Sequence, residues 1–443
     1  MPDLPLPVVV IGAGPIGLAT AAHLRGRGLD VLVLERGERA GAAVREWSHV
    51  RLFSPWSELV DPAARTLLTE AGWIEPELTA FPTGGDWAEQ YLQPLADALG
   101  DAVRYGHQVV GVTRLDRDVM VDSGRDDAPF VVHVRTPEGE SRLRARTVVD
   151  ASGTWSGPNP FGGDGLPAVG ESAHADRIAY RVPDLRDGAT AQLYAGRHTV
   201  VAGTGASAKT ALVELTRLAR SAPGTRVTWI VRRPSVGDAF GGGEDDQLSE
   251  RGALGTRARA AVGEGPVATR TGFRTESVTT GADGRLVIAS TDGQSIDEVD
   301  RVIAVTGFRP DLTFLSEVRL DLDPRLQAPS ALAPLIDPNV HSCGTVYPHG
   351  AAELTQPDPG FFLVGMKSYG RAPSFLALTG YEQARSVAAA IAGDQDAAAR
   401  VELVLPETGV CGGAASFDED ASGGCCSSPI ELIELGPVPT PRH

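Results

Sequence analysis

The chain has 443 residues, enough for about three domains at ~150 residues each and for a sizeable apolar core. Its 40 basic and 57 acidic side chains leave a net charge of −17, which excludes a nucleic-acid or anionic-membrane surface and favours a small-molecule partner. No apolar run is long enough to span a bilayer, and the apolar N-terminal run lacks the basic residues that open a signal sequence, so the expected compartment is cytoplasmic.

Val8 to Ile11 reads as a strand, Gly12-Ala-Gly14-Pro15-Ile-Gly17 as a glycine turn, the Ala/Leu-rich run to Gly28 as a helix, and Val31 to Leu34 as a second strand ending at Glu35. The three glycines do different things. Gly12 makes the tight turn, Gly14 lets the backbone approach a pyrophosphate, and Gly17 lets helix and strands pack closely. Amides at the helix start face the phosphates, and Glu35 stands where a carboxylate accepts from ribose hydroxyls. Among 52 glycines a bare triplet carries little weight; the strand, turn, helix and strand around it identify a dinucleotide site.

A Trp- and Pro-rich segment from Trp47 to Trp87 follows. Two readings stand open for it: a folded excursion over the cofactor site, or a hydrophobic plug between elements. Trp87 to Leu99 has the spacing of a surface helix. Val109-Val-Gly-Val, Phe130-Val-Val-His-Val and Arg146 to Asp150 are strands, with a polar loop over 117–127. The last of them runs into Ala-Ser-Gly153, a small-residue turn that admits a ligand or another backbone. A Pro/Gly-rich crossing to about Gly170 marks a domain boundary.

A second unit opens at Thr199: Val-Val-Ala-Gly203-Thr-Gly205-Ala-Ser207-Ala208, then a helix to about Arg220 and the strand Val227 to Val231. This strand ends in Arg232-Arg233 instead of an acid, which suits a ribose 2′-phosphate and therefore NADPH over NADH. Residues 237–265 read as a long glycine-rich loop with some helix. Strands return at Arg285 and at Arg301 to Gly307, and Gly307-Phe-Arg-Pro-Asp311 turns the chain back. Phe361 to Gly365 is a buried strand and Gly380 to Ala392 a helix. Apart from the two nucleotide units no internal repeat is evident. Two nucleotides in one chain imply electron exchange between them, and the economical pair is FAD at the first turn and NADPH at the second.

Three of the four cysteines, Cys411, Cys425 and Cys426, lie in a Gly/Ser-rich C-terminal tail, and Cys343 stands apart. That is no secreted disulfide framework; thiolate sulfur is the ligand that soft, thiophilic ions select. The 26 residues from Ala399 to Cys425 span about 28 Å as a coil, against a radius of gyration of about 22 Å for the whole chain. The tail therefore reaches a flavin in its own subunit or in the neighbour of a homodimer. The bland alternative is an inert tail. Cys343 reads as packing or as a further ligand, His341 and His349 as solvated or satisfied histidines or as an acid-base pair, and Lys367, Tyr369 and Arg371 either as active-site lining or as loop surface.

Gly12 to Gly17 with Glu35, the Asp-Ala-Ser-Gly153 turn, Gly203 to Ala208 and Thr306-Gly-Phe-Arg-Pro310 together resemble the two-dinucleotide-binding-domain flavoproteins, most of all the flavin-containing monooxygenases, over roughly residues 7–393. The resemblance implies an α/β fold of two Rossmann-like dinucleotide-binding domains, the second inserted into the first, with a flexible C-terminal tail. Its divisions would be an FAD domain at 1–165 and 300–400, an inserted NADPH domain at 166–299 and the tail at 401–443. FAD contacts would fall on Gly12, Gly14, Pro15, Gly17, Glu35, Arg36, Gly153, Gly365 and the backbone near Val109; NADPH contacts would fall on Gly203, Gly205, Ser207, Ala208, Arg232 and Arg233. One departure is Met366, where many relatives carry an aspartate that holds the flavin's ribityl and phosphate groups. No Cys-x-x-Cys lies near the glycine turns, so the built-in disulfide of thioredoxin reductases is absent.

Residues 338–350 and 365–374, with the cysteine tail, are similar more narrowly to flavoproteins of arsenic-resistance operons. The implied function is an FAD-dependent, NADPH-consuming monooxygenase acting on a trivalent arsenical held by Cys411, Cys425 and Cys426. The alternatives are a metal or disulfide reductase working through those thiols, and a non-catalytic metalloid or redox sensor.

Overall fold

The computed structural model describes residues 6–246, 248–340, 348–373 and 375–403. All four cysteines, His341 and nearly all of the tail lie outside the described residues.

Sixteen strands are present among the described residues. In chain order the first eight are β1 (Val8–Ile11), β2 (Val31–Leu34), β3 (Val103–Arg104), β4 (Gln108–Arg114), β5 (Phe130–Thr136), β6 (Gly139–Ala145), β7 (Thr147–Asp150) and β8 (Ile178–Ala179). The other eight are β9 (His198–Ala202), β10 (Arg226–Ile230), β11 (Val267–Arg270), β12 (Thr275–Thr280), β13 (Leu286–Ser290), β14 (Ser295–Val299), β15 (Arg301–Ala304) and β16 (Phe361–Leu363). They form a parallel sheet β16-β7-β1-β2-β3, a second parallel sheet β11-β10-β9-β15-β8, and two antiparallel three-stranded sheets, β4-β5-β6 and β12-β13-β14.

Side chains alternate across a strand, and β1 shows where each face goes. Val8 and Val10 enter the core under the helices Pro15–Gly26 and Ala377–Ile391, with Tyr381, Ala384 and Val387. Val9 and Ile11 face the other way, onto Val112, Phe130 and Val132 of the antiparallel sheet. Covered on both faces, the strand must be apolar throughout, as Val-Val-Val-Ile is. In β9, Val201 meets Ala208, Leu212 and Leu215 of the helix Ala206–Ser221, while Val200 and Ala202 meet Val278, Leu286 and Ile288. Both halves therefore have the same three layers. The order β7-β1-β2-β3 matches β15-β9-β10-β11, and an antiparallel insert precedes β7 and β15 alike. The repeat thus extends well past the two glycine units, with β16 and β8 closing equivalent edges from opposite ends of the chain order.

Two segments differ from expectation for identifiable reasons. Residues 237–265, expected to be a long loop with some helix, hold more helix than that: Ser249–Glu264 forms 16 residues of it. Its glycines serve contact: a Cβ at Gly252 would lie 2.0 Å from the Gly243 carbonyl oxygen, and one at Gly255 would lie 1.9 Å from that of Phe240. The expected surface helix at 87–99 buries Trp87, Tyr91, Leu92, Leu95 and Leu99 and exposes Glu89, Gln90 and Asp97, but it is interrupted by a π turn over Ala88–Leu92. Pro94 has no N–H to give the Gln90 carbonyl, and the Trp73 indole donates to it instead at 2.7 Å. Trp56 and Trp87 belong to the helix-side core, so for these two the plug reading holds.

The polar loop at 117–127 is held to the 317–319 segment, where Glu317 accepts from the Val119 amide at 2.9 Å and Arg319 donates to the Val119 carbonyl at 2.8 Å, and by one buried residue of its own. Arg125 is fully buried, and its guanidinium forks onto Asp358 at 3.0 and 2.8 Å, tying the antiparallel insert to the segment that leads into β16.

Candidate functional site: two glycine turns at the ends of two parallel sheets

The first turn leaves β1 at Gly12, whose φ of +100° lies in the region glycine favours. A Cβ there would lie 3.0 Å from the Ala151 oxygen, and one at Gly17 would lie 1.9 Å from the Gly12 oxygen, so both glycines are required by protein contacts. Gly14 differs: no protein atom lies within 4 Å of a Cβ placed on it. It is the N-cap of the helix Pro15–Gly26, has no side chain to cap the free amides, and has Pro15 behind it at the helix start. Glu35, buried at the end of β2, accepts from the Ala13 amide at 2.8 Å and the Gly37 amide at 2.8 Å. Each carboxylate oxygen keeps a further lone pair for a ribose hydroxyl. Arg36 beside it is exposed. The His107 amide donates to the Glu35 carbonyl at 2.8 Å, bringing the start of β4 and the buried Val109 to the same edge. Gly153, at φ +68°, again has open space where a Cβ would stand.

The second turn follows the same design. Gly203 (φ +121°) would place a Cβ 2.4 Å from the Val305 oxygen, and its carbonyl accepts from the buried Trp229 indole at 2.8 Å. Gly205, like Gly14, faces open space and leaves the start of the helix Ala206–Ser221 uncapped. Ser207 is exposed, and Ala208 is fully buried against the sheet. Arg232 and Arg233 follow β10 after Val231. Desolvation, and after it the like charges of Arg233 and Arg274, hold the Arg232 guanidinium below its ordinary value.

Between the turns the chain crosses twice, and the crossings are zipped together. Asn159 N donates to Gly307 O at 2.9 Å, Arg309 N donates to Gly157 O at 2.7 Å, and Trp155 stacks on Phe308 with centroids 4.9 Å apart. Thr306 to Pro310 is thus the return crossing paired to the outward one. The Trp155 indole also donates to Glu46 at 2.8 Å.

Beside the first turn lies an arrangement that sequence reasoning did not assemble. Asp150, the last residue of β7, pairs in register with Ile11 and Leu363. Lys367, in the short helical turn Gly365–Tyr369 after β16, places its ammonium 2.6 Å from Asp150 and 3.0 Å from Ser152 Oγ, with the Phe314 ring centroid at 4.3 Å. Lysine and aspartate are both fully buried. Gly365 (φ +69°) rests on Ile16, and its amide donates to Gln383 at 2.7 Å; Met366 is half-buried. Gln383 also donates to His349 and to Ser368, at 2.8 and 2.9 Å. Tyr369 is buried edge-on to Phe375, and burial pushes its phenol well up. Arg371 is exposed; after burial, its charge is the next cause lowering the Arg309 guanidinium. Lys367 and Tyr369 are therefore interior groups at the sheet end and Arg371 is loop surface. The local signal for the ion pair was only a charged residue ending an apolar strand.

Two parallel sheets, each ending in a glycine turn that leaves a helix start uncapped and facing open space, define a protein built to hold two dinucleotides. A family model described as pyridine nucleotide-disulphide oxidoreductase matches residues 9–331, and the chain belongs to that family. It is accordingly an oxidoreductase. No curated protein sequence matches it. Among solved structures it is similar to the bacillithiol disulfide reductase of Bacillus cereus, with a TM-score of 0.64 and 21% identity over 88% of this chain and 99% of that one. It is also similar to the FAD-bound cadaverine monooxygenase of desferrioxamine biosynthesis from Erwinia amylovora, with a TM-score of 0.62 and 15% identity over 92% and 98%. A flavin-containing monooxygenase from Stenotrophomonas maltophilia gives a TM-score of 0.53 and 21% identity over 88% and 98%. At these identities the likeness is one of fold. Among the described residues no helix is long and apolar enough to cross a membrane.

Proposed function

We propose that this oxidoreductase binds FAD at the first glycine turn and NADPH at the second, and uses them to oxygenate a soft, thiophilic substrate, a trivalent arsenical. The observation that carries the cofactor reading is the open space before Gly14 and Gly205, set against the tight protein contacts at Gly12, Gly17 and Gly203. A pyrophosphate fits where the protein has left room and unpaired helix amides. Gly14, Pro15 and the amides behind them would hold the FAD pyrophosphate and Glu35 its ribose; Gly205, Ser207, Arg232 and Arg233 would hold NADPH. A bound flavin accepts hydride from nicotinamide and, once reduced, reacts with oxygen. The protein's own work is to place the two nucleotides, exclude water and fix charge near the first, where Lys367 and Asp150 lie.

The substrate reading rests on the thiols of Cys411, Cys425 and Cys426 and on the similarity of residues 338–350 and 365–374 to flavoproteins of arsenic-resistance operons. The reaction balances as NADPH, a proton, oxygen and the arsenic(III) compound giving NADP+, water and an arsenic(V) oxo product. Replacing Cys425 and Cys426 by serine should lower arsenical-stimulated NADPH oxidation and leave FAD content unchanged; stimulation unaffected by the change would remove the tail from the mechanism. A second reading, reduction of a disulfide or metal species at those thiols, is favoured by the vicinal cysteine pair and by the likeness to bacillithiol disulfide reductase. The lack of any Cys-x-x-Cys counts against it.

A further inference from the structure

In a chain of net charge −17, four arginines gather at one end of the second parallel sheet. Arg232 and Arg233 follow β10, Arg270 ends β11, and Arg274 stands just before β12. The backbone forces them together. Ile230 is in register with Arg270, the Val231 amide donates to Arg270 O at 2.9 Å, Phe273 N donates to Val231 O at 3.1 Å, and Gly272 N donates to Arg233 O at 2.7 Å. The turn after β11 therefore runs alongside residues 231–233. Phe273 is buried in the core below it while Arg274 is exposed. The Arg274 backbone is pinned from two sides, its amide donating to Ser290 Oγ and its carbonyl accepting from Thr291 N, each at 3.0 Å. The crossing loop comes close as well: a Cβ on Gly163 would lie 2.9 Å from the Arg274 Cα and Cβ, and the Gly163 carbonyl accepts from the Arg232 guanidinium at 3.3 Å. Arg232 and Arg274 thus flank one glycine.

We propose that Arg274 is a specificity-determining residue which, with Arg232 and Arg233, forms a single anion site for a ribose 2′-phosphate, supplied by two segments of the chain. This rests on the reading that the second glycine turn holds NADPH. A dinucleotide seated at the end of β9 places its adenosine ribose at the end of β10. The turn beyond β11 lies one strand further out, about 4.8 Å. From there a long guanidinium meets a phosphate projecting outward from the ribose and reaches neither the ribose nor the pyrophosphate. Arg274 therefore discriminates NADPH from NADH without adding to the affinity for NADH. Arg233, tied by its backbone to the 272 turn, couples the two segments.

The test is calorimetric titration of the FAD-loaded protein with NADP+, NAD+, 2′,5′-ADP and 5′-AMP, for the unaltered chain and for Arg274→Ala, Arg274→Lys and Arg232→Ala. Arg274→Ala should weaken NADP+ and 2′,5′-ADP by about ten- to a hundredfold, the loss of one or two charge-assisted hydrogen bonds, and leave NAD+ and 5′-AMP within about twofold. Arg274→Lys should recover part of the loss, and the fall of NADP+ affinity with salt should become shallower in Arg274→Ala. If Arg274→Ala leaves NADP+ unchanged while Arg232→Ala weakens it, Arg274 lies outside the site and the inference is wrong. If NADP+ and NAD+ weaken equally, Arg274 is merely structural and the inference is again wrong. If Arg232→Ala also leaves the NADP+ to NAD+ preference untouched, the NADPH reading itself fails and takes the inference with it.

Discussion

Lys367 and Asp150 make the sharpest prediction about what holds the first site together. Both are fully buried, 2.6 Å apart, at the sheet end beside Gly12 and Gly365. A buried pair gains little net stability, because desolvating two charges offsets most of their attraction, yet removing one partner strands the other. Lys367→Met leaves the Asp150 carboxylate with only the Ser152 amide at 3.0 Å, and should cost about 3–5 kcal/mol of folding stability. Asp150→Asn should cost a similar amount by stranding the ammonium against Ser152 and the Phe314 ring. The double variant removes both charges and should recover most of the loss, giving a coupling energy above ~2 kcal/mol in a double-mutant cycle. Urea unfolding followed by far-ultraviolet dichroism, with flavin release recorded in parallel, measures all four proteins. Single variants that each cost under ~1 kcal/mol and simply add would refute the reasoning.

The glycines give a contrast that needs no stability scale. Gly17→Ala should compromise folding, because its Cβ would lie 1.9 Å from the Gly12 oxygen, whereas Gly14→Ala should fold normally and lose FAD, since only a ligand occupies the space its methyl enters. Retention of FAD by well-folded Gly14→Ala would show that the cofactor does not approach there. His198 gives a pH dependence: burial is the largest cause holding its imidazole below the ordinary value of 6.5, with Thr228 Oγ1 at 2.8 Å on one nitrogen and the Glu298 carbonyl at 3.2 Å on the other. The unfolded chain then binds this proton more readily than the folded one, so the contribution is fully present above about pH 6.5 and is lost as pH falls below it. His49, also lowered chiefly by burial, acts with the same sign. His198→Gln should flatten the acid limb of the stability profile without abolishing it, and an unchanged slope would show that His198 does not contribute to it.

The glycine turns were legible because their signal is local: turn, helix start and following strand lie within some thirty residues, and each small residue answers to one contact. The same residue type hid how far the helix in 237–265 runs, because Gly252 and Gly255 let it lie on the backbone at 240–243 and do not mark a loop. The π turn at Ala88–Leu92 was hidden because its cause, Pro94, is read together with its remedy, Trp73, only in three dimensions. The repeat of the antiparallel inserts could not be seen, since β4 to β6 and β12 to β14 share topology and not sequence. Lys367 was singled out by its place after a strand and Asp150 and Ser152 by the small-residue turn, but nothing local joined the two segments, which lie 215 residues apart. Arg274 was missed for the same reason: it reaches Arg232 through backbone pairing between segments that lie apart in the chain.

That electrons taken from NADPH at the second turn meet oxygen at the first is tested most directly by measuring NADPH oxidation by the flavin-loaded protein. The assay is run with and without a trivalent arsenical, in air and under strict anaerobiosis, with the arsenic product identified. Stimulation in air alone, with an arsenic(V) oxo product, is the expected result. Stimulation of the same size without oxygen would contradict it and make the chain a reductase working through its cysteines.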